Sequence, residues 1–138
     1  MGDLTKNFSK SEFACPCCGR VKIEDKLVKA LQKLRDLAGS PIRITSGYRC
    51  PDHNARIGGA VNSAHLFGKA SDIIIEGYTL VEMFLLAEQI DEFRKGGIGL
   101  YPEGNFLHLD IDSGCRRWCR VEGKYHGIAK LALDHILG

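Results

Sequence analysis

The sequence has no apolar stretch approaching the roughly 20 residues that a membrane-crossing helix needs, so membrane insertion is not expected. It also lacks a basic block. With a net charge of +2 and 26% charged residues, nothing resembles the cationic stripe that follows a nucleic-acid backbone, and no nucleic-acid partner is expected. The opening residues, Met1 to Asn7, have no apolar signal-peptide core, and Lys6 stands where an N-myristoylation motif requires Ser or Thr. The chain as given is therefore expected to be made in the cytoplasm and to carry no export signal of its own. No Pro-, Gly- or Ser-rich linker and no internal repeat divides it. One domain over residues 1–138 follows, and 44% apolar content is enough to build a core without staples.

The six cysteines are unevenly spaced: Cys15, Cys17 and Cys18 cluster, Cys50 is isolated, and Cys115 and Cys119 lie close together. A pair of C-x-x-C knuckles separated by a plausible loop is missing, so a zinc ribbon is not indicated. Three readings stay open. The thiols are reduced, or they form disulfides, or Cys15, Cys18 and Cys50 supply a second, structural metal site.

Residues 24–38 place Leu27, Leu31, Leu34 and Ala38 on one helical face, and Gly39 stands just beyond as a stop. Pro41 leads into a short strand, IRIT (42–45), followed by Ser46-Gly47-Tyr48-Arg49. Pro51 suits the first turn of a short helix that runs to Arg56 and stops at Gly58-Gly59. Residues 60–69 read as loop, and ASDIII (70–75) as a buried strand. Thr79 and Glu82 form a capping box. It opens a helix whose stripe is Leu80, Met83, Phe84, Ala87, Ile90 and Phe93, and which ends at Gly96-Gly97. GIGLY (97–101) and NFLHLDI (105–111) read as a hairpin around Pro102-Glu103-Gly104, residues 115–122 as a further strand, and GIAKLALDHIL (127–137) as helical. Helices among hairpin-connected strands indicate an α+β fold with a small, mainly antiparallel sheet flanked by helices.

The segment that points to chemistry is Ser63-x-His65-x-x-Gly68-x-Ala70-x-Asp72. Gly68 allows a sharp turn, so an imidazole from the loop and a carboxylate opening the next strand can meet at one point. Zinc accepts both donor types at about 2.0–2.2 Å. His108 is the natural third ligand, because an unpaired imidazole amid the apolar residues of NFLHLDI would be costly to bury. Strand alternation puts Phe106, His108 and Asp110 on one face and Leu107 and Leu109 on the other.

With PIRITSGYRCPDHN (41–54), Gly58-Gly59, SAHLFGKASD (63–72), Ile98 to Tyr101, FLHLD (106–110) and Arg117-Trp118, the chain resembles peptidase family M15. These are the zinc D-Ala-D-Ala carboxypeptidases and their relatives among bacterial and phage peptidoglycan peptidases, which share a fold with the hedgehog signalling domain. The resemblance implies a zinc metallopeptidase, with one catalytic Zn2+ held by His65, Asp72 and His108 and water in the open position. It places Arg49 and Ser63 at the substrate, where a guanidinium can fork onto a peptide carboxylate; a surface salt bridge is the plain alternative for Arg49. Trp118 either lines a groove for glycan or peptide or packs on the core.

For the general base, some relatives carry His-x-His, but Phe106 occupies the first of those positions here. Asp110, on the ligand's own face, and Glu103, in the turn, are the two candidates. If Asp110 instead orients a metal-binding imidazole, Glu103 becomes the preferred base. The implied partner is a peptidoglycan stem peptide, cleaved by carboxypeptidase or endopeptidase action, and the expected state is a monomer. Action at the cell wall would then require a phage lysis system, a virion or a missing leader. Two rivals differ in class: a non-catalytic zinc-binding recognition module of the same fold, and a cysteine-rich structural protein in which zinc serves only stability.

Overall fold

The computed structural model describes residues 2–60 and 62–127. The expected C-terminal helix falls on residues 127–137 and so lies almost wholly outside the described residues.

The first long helix, α1 (Asp25–Ala38), buries Leu27, Leu31 and Leu34. It ends where Gly39 adopts the left-handed conformation and donates its N–H to the Arg35 carbonyl, which a side chain with a Cβ would do only under strain. Strand β1 (Ile42–Ser46), the short helix α2 (Pro51–Arg56) and strand β2 (Ala70–Ile75) follow. A single 3-10 turn, Ala64–Phe67, lies within the segment that the sequence presents as loop.

The sequence suggests one helix from Leu80 to Phe93, but the structure has two, α3 (Leu80–Ala87) and α4 (Asp91–Arg94). The reason is geometric. At about 100° per residue, Phe93 in an unbroken helix would lie about 140° around the axis from Leu80, at the far edge of the apolar stripe. An extended backbone at Ile90 redirects it, and Phe93 is fully buried. The capping box at Thr79 and Glu82 is present as expected.

Strands β3 (Gly97–Tyr101), β4 (Phe106–Asp110), β5 (Arg116–Val121) and β6 (Lys124–His126) complete a six-stranded sheet of order β1-β2-β4-β3-β5-β6. All its pairings are antiparallel except β3 with β5, which bears out the α+β class.

Alternation along each strand divides the sheet into two faces. Ile73 and Ile75 from β2, Leu107 and Leu109 from β4, and Ile98 and Leu100 from β3 join the buried residues of α1, α3 and α4 in one apolar core. The opposite face carries Asp72, His108 and Asp110, with Gly97 directly beside Asp110 and Gly99 beside His108. In β1 the register shifts between Ile44 and Ser46, so Ile44 pairs with Ile73 while Ser46 stands beside Asp72. That irregularity turns the end of β1 from the core face toward the polar face and launches the segment that carries Arg49.

Candidate metal centre

Asp72 and His108 are direct cross-strand partners on adjacent strands, β2 and β4. The His108 Nδ1 atom lies 3.1 Å from Asp72 Oδ1. His65 comes from the 3-10 turn before β2. Its ring Nδ1 lies 2.7 Å from the Gly47 carbonyl oxygen, an acceptor only, so Nδ1 holds the proton and Nε2 is left with a free lone pair. That Nε2 is buried and has no hydrogen-bond partner, yet it sits 3.3 Å from Asp72 Oδ1.

A buried, unpartnered acceptor pointing at a carboxylate is unfavourable unless a cation lies between them. The donor atoms of His65, Asp72 and His108 all lie within 4.8 Å of one another. Two imidazole nitrogens and a carboxylate oxygen form a donor set suited to zinc, and the three residues fit the ion.

The tight chain path between His65 and Asp72 depends on Gly68. Its φ is +70°, and a Cβ there would come within 2.4 Å of the Lys22 carbonyl oxygen.

Asp110 does not face the cleft as a free base. Its Oδ2 lies 2.7 Å from His108 Nε2, while Oδ1 accepts from the Gly97 and Asp112 amides and from Arg116. Both oxygens are occupied, and Asp110 is fully buried. It therefore acts on His108: accepting the Nε2 proton fixes the tautomer that leaves Nδ1 unprotonated toward Asp72.

Without metal, burial disfavours a charged His108, but the hydrogen bonds to Asp110 and Asp72 outweigh it and push the imidazole up to about 9. Burial likewise works against the charged forms of Asp72 and Asp110. Their histidine partners, joined for Asp110 by Arg116, still hold both carboxyls below the usual range.

Glu103, the other candidate base, lies at the β3–β4 turn, where its Oε1 accepts from the Glu122 amide. It lines a small depression that adjoins the histidine cleft, sharing Tyr101, Phe106 and Arg120 with it, and Glu103 itself is not among the residues lining that cleft. Of the two carboxylates suggested by the sequence, Asp110 is thus engaged with His108 and Arg116, and Glu103 stands outside the lining of the cleft.

The remaining expected residues do converge. Arg49, Ser63 and Trp118 all line a cleft of about 510 Å³ together with His65, Asp72 and His108. Arg49 Nη2 is 3.6 Å from Asp72 Oδ2, and Nη1 donates to Asn54 Oδ1 at 3.2 Å, so the guanidinium braces the carboxylate at the cleft wall. Ser63 Oγ accepts from the His65 amide at 3.3 Å and starts the turn that carries the ligand.

Trp118 is half-buried. It donates from Nε1 to the Tyr101 hydroxyl at 3.2 Å and its ring lies 5.1 Å from that of His108. Gly99 makes room for it, since a Cβ there would meet the indole at 2.4 Å. Arg116 and Tyr101 are site residues to which sequence reasoning assigned no role. Tyr101 lies in a segment that carries the family resemblance, whereas Arg116 is set on the His108 face by the pairing of β5 with β3.

A buried His-Asp-His cluster that lines a cleft on the polar face of an α+β sheet is a donor set that could hold a single metal ion. The peptidase M15 family profile matches residues 6–110, and the chain belongs to that family. It is 36% identical over 103 residues to the peptidoglycan L,D-endopeptidase MepK of Escherichia coli K12, a match covering 70% of this chain and 54% of that protein. The probable peptidoglycan L,D-endopeptidase MepK of Haemophilus influenzae is 39% identical over 79 residues, covering 54% of this chain and 41% of that protein. The chain thus spans about half the length of the curated relatives it matches.

Proposed function

We propose that this chain is a zinc metallopeptidase that cleaves within the stem peptides of peptidoglycan. The observation that carries the metal reading is the buried, unpartnered Nε2 of His65 facing Asp72 and His108. Endopeptidase action is preferred over carboxypeptidase action because the Escherichia coli relative is a peptidoglycan L,D-endopeptidase and the Haemophilus influenzae relative a probable one. The engagement of Arg49 with Asp72 and Asn54 agrees, since it leaves that guanidinium less free to grip a terminal carboxylate.

His65, Asp72 and His108 would hold the ion. Once bound, zinc supplies Lewis acidity and brings the ionisation of a coordinated water to near neutral pH. The protein's part is to keep those ligands in the correct protonation state. The Gly47 carbonyl holds His65 with its proton on Nδ1, and Asp110 holds His108 with its proton on Nε2.

Arg49 braces Asp72 from the cleft wall, while Trp118 and Tyr101 form an aromatic wall beside the ligands. Arg116 and Arg120 also line the cleft; Arg116 is paired with Asp110, whereas no ion pair engages Arg120 among the described residues, which leaves its guanidinium able to meet a carboxylate of a stem peptide. The family match and the endopeptidase relatives favour an enzyme over a recognition module that never cleaves.

The test is digestion of purified peptidoglycan by zinc-loaded protein, with the soluble products resolved by mass spectrometry. Stem peptides cut internally, with cleavage lost on chelation and restored by zinc, are expected. Release of free D-Ala alone would replace endopeptidase with carboxypeptidase action. No product from protein shown to contain zinc at this site would refute the enzyme reading.

A further inference from the structure

A second cluster of metal-ligating side chains lies apart from the cleft residues. Cys15, Cys17 and Cys18 come from the N-terminal segment and Cys50 from the end of the segment after β1, yet all four sulfurs lie within 4.8 Å of one another. Cys17 Sγ is 3.2 Å from Cys50 Sγ and 3.7 Å from Cys15 Sγ. These are not bonded distances, since a disulfide requires about 2.05 Å, and all four cysteines are free. Sulfurs around a tetrahedral zinc, each at about 2.3 Å from the ion, stand about 3.8 Å apart. The cluster has that size.

We propose that Cys15, Cys17, Cys18 and Cys50 bind one zinc ion as a closed, four-thiolate structural site. The local backbone is shaped for it. Residues 15–19 form a tight knuckle in which the Gly19 amide donates to the Cys15 carbonyl at 2.8 Å, and the Cys15 amide donates to the Arg20 carbonyl at 2.8 Å. Gly19 takes a φ of +72° to close it. The Cys50 amide approaches Cys15 Sγ at 3.5 Å and the His53 amide approaches Cys50 Sγ at 3.4 Å, the kind of N–H···S contact that supports a metal-bound thiolate. Four thiolates leave no open coordination position, so the site has no hydrolytic chemistry of its own.

Its role follows from what it joins. Cys50 directly follows Arg49, and the segment just before it carries Gly47, whose carbonyl accepts from His65. The same segment is pressed on the N-terminal region. The Tyr48 amide donates to the Phe13 carbonyl at 2.8 Å, and Gly47 approaches the Phe13 backbone so closely that a Cβ would meet it at 2.5 Å. A zinc clasp between residues 15–18 and Cys50 would hold Arg49 and Gly47 in register with His65 and Asp72, making the cysteines positioning residues for the metal centre.

Two measurements on the full chain, purified in reducing buffer, test this without depending on peptidase activity. In the first, cobalt replaces zinc. A histidine–carboxylate site gives no thiolate-to-cobalt charge transfer, so a near-ultraviolet charge-transfer band with tetrahedral ligand-field bands is expected, and it should persist in His65→Ala. In the second, alkylation is mapped by mass spectrometry. Cys17, Cys18 and Cys115 are all exposed, yet only Cys115 should react at once, with Cys17 and Cys18 protected until a chelator is added.

Alkylation of Cys17 and Cys18 at the rate of Cys115 in untreated protein would overturn the proposal. So would a cobalt spectrum without thiolate charge transfer, a mass about 2 Da low from a disulfide among these residues, or iron in place of zinc in the purified chain. Cys50→Ser is the variant check. If soluble, it should lose the charge-transfer band and still bind metal at His65, Asp72 and His108, but more weakly than the unchanged chain; an unchanged band would remove Cys50 from the site, and unchanged affinity at the histidines would remove the positioning role.

Discussion

The two faces of the central sheet are built from the same strands and differ only in which alternate residues they present. On the helix side, Leu107, Leu109, Ile98 and Leu100 pack into an apolar core, where any of several aliphatic side chains of similar volume would serve. On the cleft side, His108 and Asp110 stand among glycines and are tied to named partners atom by atom. Packing tolerates exchange, whereas a ligand set does not. Neighbouring residues of one strand should therefore fail in different ways when truncated.

The largest effect expected is His108→Ala against Leu109→Ala. His108→Ala removes one of three ligands and should abolish stoichiometric zinc at this centre and all cleavage, while leaving the fold cooperative. Leu109→Ala should cost about 2–5 kcal/mol of stability through lost burial and a residual cavity, while the folded fraction still binds zinc. Metal analysis paired with denaturant unfolding reads both. A His108→Ala protein that keeps its full zinc content would break the distinction between the faces.

Next in size is Asp110→Asn. Because Asp110 serves the tautomer of His108, its amide should weaken zinc binding by about 10- to 100-fold, measured by competition with a chromophoric chelator. A variant with unaltered zinc affinity but a collapsed turnover rate would return Asp110 to the role of proton acceptor.

The fold was legible wherever one short-range pattern decided it. The stripe of α1, the capping box at Thr79, and the hairpin of β3 and β4 each depend on neighbours a few residues apart. The break at Ile90 was not legible, because the apolar spacing from Leu80 to Phe93 runs on as if helical and only the position of the core shows that Phe93 must turn. The parallel pairing of β3 with β5 is likewise set by tertiary contact.

At the metal centre, the donor types and spacing of His65, Asp72 and His108 pointed to one another. The direction of Asp110 did not follow from alternation, which puts it on the face of His108 without saying that its oxygens are taken by His108, Gly97 and Arg116. Cys17 was missed beside Cys15 and Cys18 because C-x-x-C spacing draws attention to the outer pair alone.

A smaller effect concerns pH and sharpens the contrast between a charged and a metal-bound His108. In protein freed of metal, His108 is raised from its ordinary value to about 9. A raised folded-state value means that the stabilisation is fully present below about pH 6.5, where the unfolded chain is also protonated, and is lost as pH rises through about 9. The melting temperature of chelated protein should fall across that window by more than that of chelated His108→Ala, which lacks the group. Zinc-loaded protein should not show this component, because the ion replaces the proton on Nδ1. Asp72 and Asp110, both lowered, act in the opposite direction, and their contribution disappears only as the solution is acidified below the ordinary carboxylate range. Identical slopes for the chelated chain and chelated His108→Ala would show that the imidazole is neutral in the metal-free fold.

The smallest effect expected is that of Glu103→Gln. Sequence reasoning makes Glu103 the preferred base once Asp110 is committed to His108, yet the structure sets its carboxylate at the hairpin turn, accepting from the Glu122 amide and outside the lining of the cleft. An amide of the same size retains an oxygen acceptor for that N–H and loses only basicity. If Glu103 took part in proton transfer, removing its basicity would cost roughly 10²–10⁴-fold in rate. If it only ties β4's turn to the β5–β6 turn, kcat and kcat/KM on a stem peptide should stay within about twofold, and the loss should appear instead as a few tenths of a kcal/mol in unfolding, the scale of an exposed polar contact. A hundredfold fall in kcat with zinc content intact would require the hairpin to move against the cleft during turnover, and would make the β3–β4 turn part of the active site.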